Sequence, residues 1–209
     1  MMHIGIDFDN TIVCYDNSFG VLAKEIKNLP GTTPRNKLSI RDYLRSQGRE
    51  EDWVEFQGLL YGPGMKYAAP FKGAIEAMKS LLRDGHSLSV ISHRSKYPYG
   101  GPQYDLHSYA SKWIEDNLVP HGLFKLGESC GQISFHTTLE SKLQEISSQS
   151  CDVFIDDLPK VICSEKIKEV RLRYWFIPDE RDGAETIKVD DVIRIGSWSA
   201  IYADLASRS

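Results

Sequence analysis

Residues 1–12 read Met1-Met2-His3-Ile4-Gly5-Ile6-Asp7-Phe8-Asp9-Asn10-Thr11-Ile12, a short apolar run that ends in two aspartates separated by one residue. Such a run suits a buried strand, yet buried carboxylates are costly unless a cation, a proton or an exposed edge neutralises them. Residues 152–159 repeat the construction as Asp152-Val153-Phe154-Ile155-Asp156-Asp157-Leu158-Pro159, with Pro159 suited to the first turn of a following helix. Either pair alone reads better as capping or turn acids. Two such pairs, each at a strand end, would deliver three or four carboxylates to one edge of a parallel sheet.

Further apolar runs support that sheet. Met2–Ile6, Ser87–Ile91, Asp152–Ile155, Val170–Ile177 and Val192–Ile195 read as strands, several apolar on successive residues, which is the pattern of strands covered on both faces. Helical stripes lie between them. Ala74, Ile75, Met78, Leu81 and Leu82 form one that stops at Asp84-Gly85, where glycine can supply a left-handed turn. Leu106, Tyr109, Ala110, Trp113 and Ile114 form a second, and Leu139, Leu143 and Ile146 a third, with Thr137 and Glu140 at capping-box spacing. The expected fold is therefore α/β, a doubly wound, mostly parallel sheet.

One interval breaks the alternation. From Tyr15 to Tyr67 there is no good strand but three short helical candidates: Phe19/Leu22/Ala23/Ile26, Ser39 to Gln47, and Trp53/Phe56/Leu60. Residues 1–14 and 69–209 are expected to form the α/β core, and 15–68 a small helical cap emerging at the carboxyl edge of the sheet, where open α/β folds bind ligands. A lid is the functional reading, and a surface elaboration the alternative. Phe19, Trp53 and Tyr61 would hold this unit together or stack on a substrate.

Composition narrows the function classes. The 209 residues are 41% apolar and 26% charged with a formal net charge of -4, which excludes a disordered or fibrous chain and gives no reason to expect a nucleic-acid polymer as partner. Cys14, Cys130, Cys151 and Cys163 show neither a CxxC pair nor zinc spacing, so reduced thiols are expected. No apolar run approaches the roughly 18 residues of a membrane span. A soluble, cytoplasmic protein with no membrane partner is the expectation.

A carboxylate-rich, all-oxygen site suits Mg²⁺ better than zinc. With Ser92 ending the run Val90-Ile91-Ser92 and Lys142 near the start of the helix before Asp156, the segments resemble the four motifs of the haloacid dehalogenase superfamily of phosphohydrolases. Motif one, hydrophobic-DxDxT, is matched by Asp7-Phe8-Asp9-Asn10-Thr11; motif two by Ser92; the motif-three lysine by Lys142, with Lys125 in reserve; motif four by Asp156-Asp157. The insertion after motif one resembles that family's helical cap. The resemblance implies Asp7 as nucleophile, forming an aspartyl-phosphate, and Asp9 as the acid that protonates the leaving oxygen and then activates water. It also implies Mg²⁺ held by Asp7, the Asp9 backbone carbonyl and Asp156, with Asp157 nearby. Ser92 would donate to the phosphoryl oxygens, and Lys142 would offset charge on nucleophile and phosphate. Asn10 stands where glycine is common, a tolerable departure because asparagine accepts positive φ. Asp9 separates the chain from the true dehalogenases, which lack the second aspartate.

Other motifs are weaker. Gly127-Glu128-Ser129-Cys130-Gly131 matches the serine-hydrolase elbow G-x-S-x-G, but the residues after it, Gln132 to His136, read as a strand, and no histidine lies beyond them. The segment reads as a turn. Asn10, His93 and Arg94 are candidate substrate contacts, the last two leading into Lys96, Tyr97 and Tyr99; a solvated basic loop is the alternative. The expected activity is Mg²⁺-dependent hydrolysis of a small-molecule phosphate ester of the nucleoside monophosphate or sugar phosphate class, since the motif layout resembles deoxyribonucleotidase-like members. A phosphate-binding or regulatory module with little turnover is the other reading.

Overall fold

The computed structural model describes residues 1–124, 133–178, 188–189 and 192–208; Lys125 and the segment 127–131 lie outside the described residues. The chain divides into two compact units. One comprises Met1–Val13, Pro70–Arg94 and Glu115–Ser209, the other Cys14–Ala69 and Ser95–Ile114.

The first unit is built on a sheet. Strands β1 (His3–Ile6), β2 (Val13–Cys14), β3 (Ala69–Pro70), β4 (Ser87–His93), β5 (Ile133–His136), β6 (Val153–Asp156), β7 (Leu172–Phe176), β8 (Lys188–Val189) and β9 (Val192–Ile195) succeed one another in chain order, with β2 and β3 where the chain passes from one unit to the other. The large sheet runs β5-β4-β1-β6-β7-β9-β8. Its first six strands are parallel, and β8 adds antiparallel to β9. Successive strands step outward from β1 to β4 and β5, then return to the centre and step the other way from β6 to β7 and β9. The reversal beside β1 opens a crevice at the carboxyl ends of β1 and β6.

Helices α4 (Ala74–Arg83), α6 (Leu139–Ser148), α7 (Pro159–Ile162) and α8 (Trp198–Ala206) cover this sheet. Ile91, Phe154 and Val192 pack with Leu143, Ile146, Val161 and Ile162 on the face of α6 and α7. The opposite face meets α4 and α8, with the Trp198 ring 6.2 Å from Phe176. Covering on both faces explains the unbroken apolar runs: every residue of β6 is buried, as are residues 88–92 of β4. Gly85, at φ 85°, closes α4 in the left-handed conformation, and its N–H donates to Leu82 O at 3.1 Å. At α6 the cap is Thr138 rather than the expected Thr137. Thr138 Oγ1 accepts from Ser141 N at 3.1 Å, while Glu140 pairs with Lys166 instead of reaching back.

The second unit is helical: α1 (Asp16–Leu22), α2 (Lys37–Ser46), α3 (Glu50–Tyr61) and most of α5 (Leu106–Asn117). Asn36 caps α2 by accepting from Ser39 N at 2.9 Å, and acidic Glu50, Glu51 and Asp52 open α3 where the helix dipole favours them. Phe19, Trp53 and Phe56 are buried together, with ring centroids 5.9 and 6.1 Å apart, so these aromatics form the core of the unit. Sequence periodicity assigns residues 95–114 to the α/β core, whereas in the structure they group with the helical unit. The reason is packing: Pro98 lies against Gly58 of α3, where a Cβ would stand 2.9 Å from its ring, and Trp113 Nε1 donates to Ala68 O at 3.1 Å. Among the described residues, no helix is long and apolar enough to cross a membrane.

Candidate active site

The adjacent ends of β1 and β6 bring the two acidic motifs together. Ile6 pairs with Ile155, and the Asp7 N–H donates to Ile155 O at 2.9 Å, so Asp7 and Asp156 leave the sheet side by side. Lys142, from the first turn and a half of α6, reaches both. Its Nζ lies 2.5 Å from Asp7 Oδ1 and 2.5 Å from Asp156 Oδ2, and the lysine side chain is fully enclosed. Asp156 Oδ1 accepts from Leu158 N at 2.8 Å, which shapes the turn carrying Asp157. Carboxylate oxygens of Asp7, Asp156 and Asp157 all lie within 4.8 Å of one another. Trp175 Nε1 donates to the Asp157 carbonyl at 3.1 Å and fixes its backbone.

The electrostatics of this cluster are unbalanced. Burial pushes the Asp7 carboxyl well above the ordinary aspartate value; Lys142 pulls it back, and Asp156 and Asp157 add to the rise. For Lys142, burial disfavours the ammonium, but the combined attraction of Asp156 and Asp7 outweighs it and leaves the ammonium held above its usual range. One ammonium against the two carboxylates it touches leaves a negative balance even before Asp157 is counted. A hard divalent cation corrects that balance, and a set of carboxylate oxygens is the donor chemistry that Mg²⁺ accepts. The residues therefore fit such an ion.

Asp9 stands apart from this group. Past β1 the chain turns tightly, with Asn10 N donating to Val13 O at 3.0 Å and Val13 N to Phe8 O at 3.0 Å; Asn10 takes φ 61°, the positive value its side chain tolerates. Arg94 Nη1 donates to Asp9 Oδ1 and Oδ2 at 2.6 and 2.7 Å. Alternation along β4 separates the neighbouring candidates. Ile91 packs on the α6 face, and Ser92 points to the other. Half-buried His93 comes two residues after Ile91, sensing Lys160, Lys142 and Asp156, and burial pulls its imidazole below the ordinary value. Ser92 Oγ is buried with no hydrogen-bond partner, as is Thr11 Oγ1. Each is an enclosed hydroxyl left without a protein partner.

The structure thus joins Asp7, Lys142, Asp156 and Asp157 in one cluster, pairs Asp9 with Arg94, and sets Ser92 on β4 and Asn10 in the turn after Asp9. Half-buried His93 is the last residue of β4, and buried Arg94 follows it against Asp9. Two features escaped the sequence: the Arg94–Asp9 pair, which spans 85 residues, and the Trp175 bond to Asp157. No local pattern signals either.

A six-stranded parallel array with acids gathered at its central crevice is a doubly wound α/β arrangement, and open sheets of this kind bind ligands at that crevice. No protein-family model matches this sequence, and no curated protein matches it at a significant level. Solved structures do resemble it. A haloacid dehalogenase-like family hydrolase from Streptococcus pneumoniae aligns over 98% of both chains with a TM-score of 0.58 and 15% identity. A HAD-hydrolase from Bacillus subtilis bound to magnesium aligns over 98% of both chains, with a TM-score of 0.56 and 14% identity. A HAD family hydrolase from Deinococcus radiodurans with bound phosphate and sodium covers 99% of this chain and 96% of its own, with a TM-score of 0.55 and 14% identity. The chain has the haloacid dehalogenase-like fold.

Proposed function

We propose that this protein is a hydrolase of the haloacid dehalogenase superfamily that cleaves small phosphomonoesters with Mg²⁺. The observation that carries the reading is the enclosed Lys142 ammonium bridging Asp7 and Asp156 beside Asp157. This arrangement serves phosphoryl transfer because that chemistry is mostly positioning and charge stabilisation.

Asp7, Asp156, Asp157 and the Asp9 backbone carbonyl would hold the metal. When bound, Mg²⁺ supplies Lewis-acid stabilisation of the charge on the phosphoryl oxygens. An Asp7 oxygen attacks phosphorus, the bond to the leaving oxygen breaks, and the Asp9 carboxyl gives its proton to that oxygen. Asp9, now a carboxylate, takes a proton from water. The water oxygen attacks phosphorus, the Asp7–phosphorus bond breaks, and inorganic phosphate leaves with both aspartates restored. Ser92 donates to the phosphoryl oxygens, and Lys142 balances charge on Asp7 throughout.

The helical unit comes directly after the Asp7–Thr11 segment in the chain, which supports reading it as a cap that selects the leaving group. The motif layout favours nucleoside monophosphates or sugar phosphates as substrates. A phosphate-release assay over a panel of esters tests the reading: turnover should require Mg²⁺, stop with EDTA and be lost in Asp7→Asn. Absence of Mg²⁺-dependent turnover on every ester would point instead to a phosphate-binding module.

A further inference from the structure

The peptide group between Asp157 and Leu158 is held from both sides. Its N–H donates to Asp156 Oδ1 at 2.8 Å, and its carbonyl accepts from Trp175 Nε1 at 3.1 Å. The N–H and C=O of one planar peptide point in opposite directions, so either bond alone is a pivot and the two together fix the plane. That plane decides where two acids stand. Asp156 Oδ1 accepts from it while Oδ2 accepts from Lys142, and Asp157 carries its carboxylate from the residue that supplies the carbonyl. Rotation of the plane would release Asp156 Oδ1 and move the Asp157 carboxylate away from the Asp7 and Asp156 oxygens, with which it lies within 4.8 Å. The Trp175 end is firmly anchored. In register, Trp175 of β7 stands beside Asp156 of β6 on one side and Arg194 of β9 on the other. Its ring packs against the cluster that includes Ile146, Phe154 and Val161, and the Arg194 guanidinium carbon lies 4.8 Å from the ring centroid. An indole held in this way has little freedom to follow a moving carbonyl.

Divalent cations differ in what they require of such a site. Mg²⁺ is small and binds in near-ideal octahedral geometry, whereas Ca²⁺ accepts longer and more variable arrangements of oxygen ligands. Rigid carboxylates therefore favour Mg²⁺, and loosened ones lose that preference. We propose that Trp175 is a positioning residue whose indole N–H keeps Asp156 and Asp157 rigid enough for the cluster to select Mg²⁺ over Ca²⁺. The proposal rests on the reading of the cluster as a divalent-cation site.

The test titrates Mg²⁺ and, separately, Ca²⁺ into EDTA-stripped protein by calorimetry, comparing the unsubstituted chain with Trp175→Phe and Trp113→Phe. Phenylalanine at 175 keeps an aromatic ring in β7 and removes the N–H. Trp113→Phe removes an indole bond of the same kind, to Ala68 O in the helical unit, and should alter the affinity for neither ion. In Trp175→Phe the Mg²⁺ dissociation constant should rise about 10- to 100-fold, and that for Ca²⁺ much less. Unchanged Mg²⁺ affinity, equal weakening of both ions, the same change in Trp113→Phe, or an unsubstituted protein that binds Ca²⁺ as tightly as Mg²⁺ would overturn the proposal. Should Trp175→Phe not fold, the unsubstituted protein supplies the answer, because coupling between the indole bond and the ion is reciprocal. Mg²⁺ should then slow solvent exchange of the Trp175 indole proton, followed by NMR, more than Ca²⁺ does; exchange that neither ion alters, or that both slow alike, would overturn the proposal. If the unsubstituted protein binds neither ion, the cation reading itself fails and the role of Trp175 falls with it.

Discussion

The Lys142 ammonium lies 2.5 Å from an Asp7 oxygen contributed from 135 residues away, and both side chains are enclosed by the fold. An ammonium in that position counters carboxylates that water cannot reach. Replacing it with methionine keeps the bulk and removes the charge, leaving buried acids without their nearest counter-charge. Lys142→Met is expected to destabilise the metal-free protein by about 3–5 kcal/mol, measured by denaturant unfolding. Mg²⁺ should restore part of that loss, and turnover should fall by about 10²–10³-fold.

Burial raises Asp7, and linkage sets the sign of the resulting pH dependence. A carboxyl with a raised folded-state value binds its proton more tightly in the folded than in the unfolded chain. The contribution of Asp7 to the stability of the metal-free protein should therefore be greatest in acid and decline as pH rises from the ordinary aspartate value, about 4, through the raised one. An asparagine side chain cannot ionise, so Asp7→Asn should flatten that decline. Thermal unfolding in EDTA between about pH 4 and 8 checks this; parallel pH profiles would contradict it.

Gly5 lies where β1 passes Phe154 and Cys151. A Cβ there would stand 2.6 Å from Phe154 Cδ2 and 2.8 Å from Cys151 Sγ, so Gly5→Ala should cost about 1–3 kcal/mol through overpacking. For a chain of this size each kcal/mol lowers Tm by about 2–4 °C, readable by differential scanning calorimetry.

Two thiols should differ in reactivity. Burial, with Asp152 and Glu145 nearby, pushes the Cys151 thiol up to about 12, while Cys163 is exposed. Brief treatment of the native protein with iodoacetamide, then peptide mapping, should label Cys163 and spare Cys151. Equal labelling would contradict the packing around Phe154.

Much of the fold is legible because the signals are local. Apolar runs ending at Ile6, Ile91 and Ile155 mark β1, β4 and β6, and the breaks at Gly48 and Gly62-Pro63-Gly64 delimit helices α2 and α3. The acids after β1 and β6 can be placed at one edge because parallel strands share a direction. The rest depends on tertiary packing. Residues 95–114 carry an ordinary amphipathic stripe, and contacts distant in sequence, among them the fit of Pro98 against Gly58 and the bond from Trp113 to Ala68, group them with the helical unit. Thr137 and Thr138 are equally good caps on paper, and the extended backbone at Thr138 decides between them. Arg94 reads equally as part of a solvated basic loop; its burial against Asp9 becomes visible only once β4 and the turn after β1 meet at one edge.

The cluster at the ends of β1 and β6 exists, on this reading, to hold one divalent cation, and direct binding tests that. Isothermal titration of Mg²⁺ into EDTA-stripped protein should show a single site of unit stoichiometry, lost in Asp156→Ala and strongly weakened in Asp7→Asn. Failure of the unsubstituted protein to bind Mg²⁺, or undiminished binding in both variants, would show that these carboxylates serve another purpose.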